Sequence, residues 1–274
     1  MRWSKIKNIV ILLLLLVNLF LLAMVGLRAW RSGHNERETR QRMVAVLEKS
    51  GIAFLPDEVP GDLTLSGWRI TLQIPGEDEA RLLLGGVTDV YTVGTRTVYE
   101  GGRGSVNISS SGEMEAKFEQ GAFPLEEDDA GSAGLELLSR LGVQAQETER
   151  ISQEGQTVLT YVQLWNGVPV PNRPVTLTCR DESWESLSLH WLAGTAESVA
   201  LGDKTITAST ALVRFLEVLD QEGYVCSQVT DMYAGYVASG TSTVTLTPAW
   251  YVETDEWLWK FSVDGYTGAV TTEG

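Results

Sequence analysis

The chain has 274 residues, two cysteines, two histidines and a formal charge of −15 at pH 7. Two cysteines are too few for a disulfide scaffold. An acidic balance of this size gives no general attraction to nucleic acid phosphates or anionic lipid heads.

The first 31 residues do not suit a soluble fold. From Asn8 to Leu27 there is no charge, and Asn8 and Asn18 are the only polar side chains. Twenty helical residues span about 30 Å, the thickness of a bilayer's hydrocarbon layer. Trp3 and Trp30 flank the run, where amphipathic rings prefer the headgroup level. The competing reading is a cleaved signal peptide, but such a segment has a shorter apolar core, and Leu27-Arg28-Ala29-Trp30 matches its small-residue cleavage pattern poorly. An uncleaved anchor is the expectation. Arg2, Lys5 and Lys7 precede it, whereas Arg28, Arg31, Arg37, Arg40 and Arg42 follow, so a local count of positive charges does not set the orientation. A seven-residue leader is no domain, which favours a cytoplasmic N-terminus with the bulk of the chain outside. Three of the 21 basic residues precede residue 28 and no acidic one does, leaving 18 basic against 36 acidic side chains beyond it.

Asn35 and Glu38 have capping-box spacing, and Met43, Val44, Val46 and Leu47 form a short apolar stripe that Gly51 ends. Gly33 either separates this helix from the anchor or lies within one continuous stalk. Residues 66–119 read as strands and turns: Trp68, Ile70, Leu72 and Ile74 alternate, and Gly94 and Gly101-Gly102 mark turns. The "GGRG" at 101–104 lies between β-type runs with no helix after it, so it reads as a turn rather than a phosphate loop.

"PLEEDDAGSAG", 124–134, packs charge, Gly, Ser and Pro together and is the strongest boundary signal. Its four acids lack the oxygen-ligand spacing of a calcium loop and read as a solvated linker at a helix N-terminus. A short helix with Leu135, Leu137, Leu138 and Leu141 follows. Three strands come next, with a turn at Asn166-Gly167. Cys179 alternates with Val175 and Leu177 and reads as a small buried hydrophobe, a bond to Cys226 being the alternative. Thr207 caps a helix whose apolar face is Ala211, Leu212, Phe215, Leu216 and Leu219, and Gly223 closes it.

The last strands carry Trp250 and Val252, then Trp257, Trp259, Phe261 and Val263 at every second position. Aromatics at strand spacing serve as a core for the 207–222 helix or as a binding platform, and the core is the default. A helix followed by several antiparallel strands thus recurs at 35–119, 131–192 and 207–272. The expected class is α+β: one transmembrane helix, then tandem modules of a helix packed on an antiparallel sheet.

Catalytic chemistry finds little support. His34 lies beside the membrane segment, and His190 shares a polar strand face with Ser186 and Ser188. No nucleophile motif or metal spacing occurs, and a zinc site from Cys179, His190 and Cys226 would need three distant residues to converge. The expectation is a non-enzyme without cofactor or metal.

The stretch from Thr205 to Val270 resembles the C-terminal, PepSY-like module of the YycH/YycI-type membrane regulators. The matching residues are Ile206, Thr207, Ala208, Ala211-Leu212, Gly235-Tyr236, Pro248, Trp250, Asp264, Thr267 and Gly268. The start, with Trp3, Ser4, Lys5 and "NLFLL" at 18–22, is similar to YycI, as is "YVQLWNGVPVPNRPVTLTC" at 161–179. This resemblance implies a cytoplasmic leader and anchor over 1–31, a first extracellular module over 32–125, and a second region over 126–274 whose last part, 205–274, is PepSY-like. It implies a single-pass cell-membrane protein that modulates a cell-wall-related sensor histidine kinase of the WalK (YycG) type, together with a YycH-type partner and through membrane-helix contacts. Asn18 and Gly26 are the candidate contact residues within the span. The alternative is a PepSY-like envelope binding or protease-inhibitory module.

Overall fold

Apolar residues recur at every second position of the later strands, which pair into two large sheets, antiparallel except at one short edge pairing. The computed structural model describes residues 44–45, 47–54, 63–125, 129–202, 204–256 and 260–273. Among them no helix is long and apolar enough to cross a membrane. The expected span at 8–27, with Asn18 and Gly26, lies outside the described residues, as do Trp257 and Trp259.

The elements run β1 (Ala53–Phe54), β2 (Gly67–Leu72), α1 (Glu77–Leu84), β3 (Asp89–Val93), β4 (Arg96–Gly101), β5 (Gly104–Ser109) and β6 (Glu113–Phe118). There follow α2 (Ala130–Arg140), β7 (Ala145–Gln153), β8 (Gln156–Trp165), β9 (Val168–Arg180), β10 (Ser183–His190) and β11 (Gly194–Val199). Last come α3 (Ala208–Glu222), β12 (Gln228–Ser239), β13 (Thr243–Thr254), β14 (Lys260–Asp264) and β15 (Val270–Glu273). The class is α+β, with extensive antiparallel sheet and few helices, as the sequence suggests.

Sheet I has the order β1-β12-β13-β14-β15. The far edge of β13 is shared: Ala249–Glu253 pair with β14 and Thr243–Leu246 with β2, which in turn pairs with β11. Sheet II has eight strands in the order β3-β4-β5-β6-β10-β9-β8-β7. It draws β3–β6 from before the acidic 124–134 stretch and β7–β10 from after it, so residue 125 falls within one sheet's chain path. The 73–193 stretch, containing all of sheet II, is inserted between β2 and β11, which are neighbours in sheet I.

Three cores follow. In sheet I, Ala211, Leu212, Phe215 and Leu219 of α3 pack on Trp250, Val252, Phe261 and Val263, with Leu47 joining from the helical residues near the start. Phe215 meets Phe261 edge-on at 4.9 Å between ring centroids, and burying each such ring contributes roughly 1.5–3 kcal/mol. The aromatic strand stripe is thus a core wherever it is described. In the sheet II core, Leu137 and Leu138 of α2, with Leu141 just past its end, gather with Tyr161, Val175, Leu177 and Leu187, while Ala80, Leu83 and Leu84 of α1 lie over β4 and β5. The expectation of strands and turns alone over 66–119 overlooks α1, whose first turn holds Glu77, Asp78 and Glu79 and whose Glu79 Oε2 accepts the Gly76 N–H at 2.7 Å.

The third core joins the sheets: Ile70, Val170, Leu192, Tyr236, Ala238, Val244 and Leu246. Here β9 crosses β12. Asn172 Nδ2 donates to the Ala238 carbonyl at 2.8 Å, and its Oδ1 accepts the Ala238 N–H at 2.9 Å. A Cβ on Gly235 would stand 3.0 Å from the Pro169 carbonyl oxygen and 2.9 Å from the Tyr251 ring, so glycine is what lets the strands approach. The Gly235→Val variant is therefore expected to lose about 1–3 kcal/mol of stability through overpacking. Thermal unfolding of the full chain followed by circular dichroism checks this, and an unchanged midpoint would show that the crossing has slack.

Candidate functional site

The motif residues carried by the family resemblance are distributed through one joint of sheet I. Thr207 caps α3, its Oγ1 accepting the Thr210 N–H at 3.3 Å. Trp250 Nε1 donates to the Ile206 carbonyl at 3.1 Å, pinning the strand face to the start of α3. The Asp264 carboxylate accepts the backbone N–H groups of Tyr266 at 2.9 Å and Thr267 at 2.7 Å, and Gly268 follows with φ +71°. The Pro248 carbonyl accepts the Gly265 N–H, and the Gly265 carbonyl accepts the Ile206 N–H, both at 2.7 Å. Tyr236 donates its hydroxyl to the Ser66 carbonyl at 3.0 Å and accepts from Trp68 Nε1 at 3.2 Å, tying β12 to β2. Ala211 and Leu212 are buried on the core-facing side of α3. Ile206 and Thr207 line a groove of about 420 Å³ with Leu63, Lys204 and Tyr266, while Ala211, Leu212, Tyr236, Trp250 and Asp264 serve packing and turn geometry.

The candidate reactive groups are dispersed too. Cys179 and Cys226 are free thiols, Cys179 in the sheet II core and Cys226 packed against the sheet I core. His190 closes β10, and burial and the nearby Arg173 lower its pKa against an opposing pull from Glu113. Among the described residues no three His, Cys, Asp or Glu side chains gather as metal ligands. Of the four acids in the 124–134 stretch, Asp129 caps α2: its carboxylate accepts the Ser132 N–H at 2.9 Å and meets Arg150 at 2.7 Å. The guanidinium and the cap hold that carboxyl well below the usual carboxylate range. Arg150 also grips both carboxylate oxygens of Glu147, at 2.8 and 2.9 Å.

A cleft of about 570 Å³ lies between the sheets. Gln146, Glu147 and Thr148 of β7 and Tyr161 of β8 form one wall, with Pro169, Pro171 and Pro174 of β9. Asp231, Tyr233 and Ala234 of β12, Glu253 of β13 and Lys260 of β14 form the other. Sequence periodicity does not reveal this cleft, because its walls come from residues up to about a hundred positions apart. The prolines at 169, 171 and 174 are the one local signal, and they mark where β9 leaves the regular ladder: Val162 pairs with Pro174 but Gln163 with Val170. Tyr233 stacks on Tyr251 with centroids 5.5 Å apart and planes at 12°, and its hydroxyl donates to Glu253 at 3.1 Å.

A second groove, of about 690 Å³, runs between α3 and the chain around Ser50 and Ile52, with Cys226 in its lining. Burial, then Asp255 and Glu256, push the Cys226 thiol up to about 11.

No protein-family model matches the chain. No curated protein matches it in sequence. Among solved structures, an uncharacterized protein from Eubacterium rectale aligns over 81% of this chain and 85% of its own length, with a TM-score of 0.47 and 10% identity. The C-terminal domain of Bacillus megaterium YpeB aligns over 72% of this chain and 96% of its own length, with a TM-score of 0.39 and 13% identity. At these values neither likeness carries a function across.

The thiolate is the nucleophile, so alkylation of Cys226 by iodoacetamide should rise with a midpoint near pH 11, above the ordinary value of 9.0. Mass spectrometry of the Cys226 peptide across a pH series reads this directly. A midpoint at the ordinary value would mean that the groove is wetter and less acidic than the geometry shows.

Proposed function

We propose that the protein is a membrane-anchored regulator that acts by contact, its two-sheet body held outside the cell by the 8–27 helix. In this reading it biases a cell-wall-related sensor histidine kinase of the WalK type, alongside a YycH-type partner, as the sequence resemblance at 205–270 and 161–179 implies. The observation that carries it is the uncharged run from Asn8 to Leu27, attached to a body whose motif residues serve packing rather than chemistry. A PepSY-like last module suits the same residues.

A regulator of this kind needs only different contact energies with two kinase states. Lipid supplies no hydrophobic drive for helix pairing, so association rests on close packing and on polar contacts. Gly26 permits close approach. Asn18, near mid-span, supplies an interhelical hydrogen bond worth about 0.6–2 kcal/mol. Asn18→Leu should therefore lower kinase co-purification from membranes by about threefold to thirtyfold and shift a cell-wall reporter in step. Unchanged co-purification and reporter output would remove Asn18 from the contact. Mass spectrometry of what the intact protein retains from membranes tests the larger reading, and recovery of a secreted peptidase in place of a kinase would overturn it.

A further inference from the structure

The two outer strands of sheet II are built differently. Strand β7 carries Glu147, Glu149 and Arg150, charges of the kind that keep an unpaired edge from recruiting another chain. Strand β3 has neither lysine nor proline, and Asp89 is its one charge. Among the described residues its ladder partner is β4 alone. Every residue from Asp89 to Val93 is exposed, with Val90 at 47%, Tyr91 at 43% and Val93 at 62%. The strand lies five places along sheet II from β9, where the sheets cross.

This edge has a defined hydrogen-bonding side. Val93 and Arg96 close the two-residue turn at Gly94-Thr95, and such a closing pair exchanges both backbone hydrogen bonds. Alternation gives Tyr91 and Asp89 the same inward role and turns the backbone groups of Val90 and Thr92 outward. The Val90 N–H is met at 2.9 Å by the carboxylate of its own neighbour Asp89, an exposed contact that another strand can replace. No hydrogen bond from a described residue outside the ladder reaches the Thr92 backbone.

These groups match a second copy of the same strand. Antiparallel pairing about Tyr91 sets Val90 of each copy against Thr92 of the other, so the outward donors and acceptors meet in reciprocal pairs. It is the one antiparallel register that overlaps all five residues. Charge selects the sense: parallel in-register pairing would stack Asp89 on Asp89, whereas antiparallel pairing sets it against Val93. Tyr91 then meets Tyr91 at the two-fold axis as a close, non-hydrogen-bonded pair.

We propose that the protein forms a homodimer through β3, which joins two eight-stranded sheets into one across a two-fold axis. Five residues a side bury less than the about 1,000 Å² of a durable interface, so the pair exchanges readily. The inference goes beyond the kinase reading and stands apart from it, because this edge belongs to the body and not to the span.

The test is oxidative cross-linking of the full chain in an uncharged detergent, in a Cys226→Ser background, with copper phenanthroline as oxidant. Tyr91→Cys puts two thiols on a pair whose Cα atoms lie about 4.5 Å apart, within disulfide reach. Val93→Cys is the control. It is the more exposed site, but its two copies stand four strand positions apart, about 14 Å. Non-reducing gels should show a Tyr91→Cys dimer and about tenfold less dimer for Val93→Cys. Adding Thr92→Pro removes an outward N–H and spares the β4 ladder, so it should abolish the Tyr91→Cys dimer while the circular dichroism spectrum is retained. Absence of the Tyr91→Cys dimer would overturn the proposal and leave this edge to a strand of another protein. Equal cross-linking at 91 and 93 would overturn it too, reducing the contact to collision. So would a dimer that survives Thr92→Pro.

Discussion

The Asn172 side chain satisfies both backbone groups of Ala238 with one amide, and a few residues upstream Gly235 leaves room for the Pro169 carbonyl. Through these contacts β9 of one sheet lies across β12 of the other, and the small core of Ile70, Val170, Tyr236, Val244 and Leu246 closes around the crossing. An unpaired backbone group buried here would cost about 1–3 kcal/mol, which the amide avoids. The inter-sheet cleft lies beside this crossing, walled by residues of both sheets.

Each sheet has its own helix cover, and this division explains the sorting of the family-motif residues. Trp250, Asp264 and Gly268 seat α3 on sheet I, while Tyr236 fastens β12 to β2. They secure a scaffold. Side chains available to a partner lie at the sheet junction and on the outer strands, where Val90, Tyr91 and Val93 of the β3 edge are exposed.

Much of this scaffold is legible in the residues alone. The α3 stripe and its strand partners, the α2 leucines and the Asn166-Gly167 turn all follow local rules of period and turn chemistry, and both turn residues take positive φ. Sheet membership is another matter. The stretches at 66–72 and 89–118 both read as strands, yet β2 belongs to sheet I and β3–β6 to sheet II, because pairing partners are chosen by distant segments. Helix α1 escapes notice for a different reason: "EDEARLLL" has two turns, too few to show a period against the strands around it. The cleft is invisible for the same reason as the sheet order, being assembled from β7, β8 and β9 on one side and β12, β13 and β14 on the other.

The nesting of sheet II between β2 and β11 has a consequence for biogenesis. Leu72 and Gly194 are register partners, so the chain leaves sheet I and returns to it at one point. As the polypeptide emerges from its N-terminal end, β1 and β2 appear long before any strand they pair with. The inserted stretch can meanwhile complete all eight of its own strands and deliver β11 to the waiting β2 with its ends already drawn together. Closing sheet I then joins nearby ends instead of recruiting a long free coil.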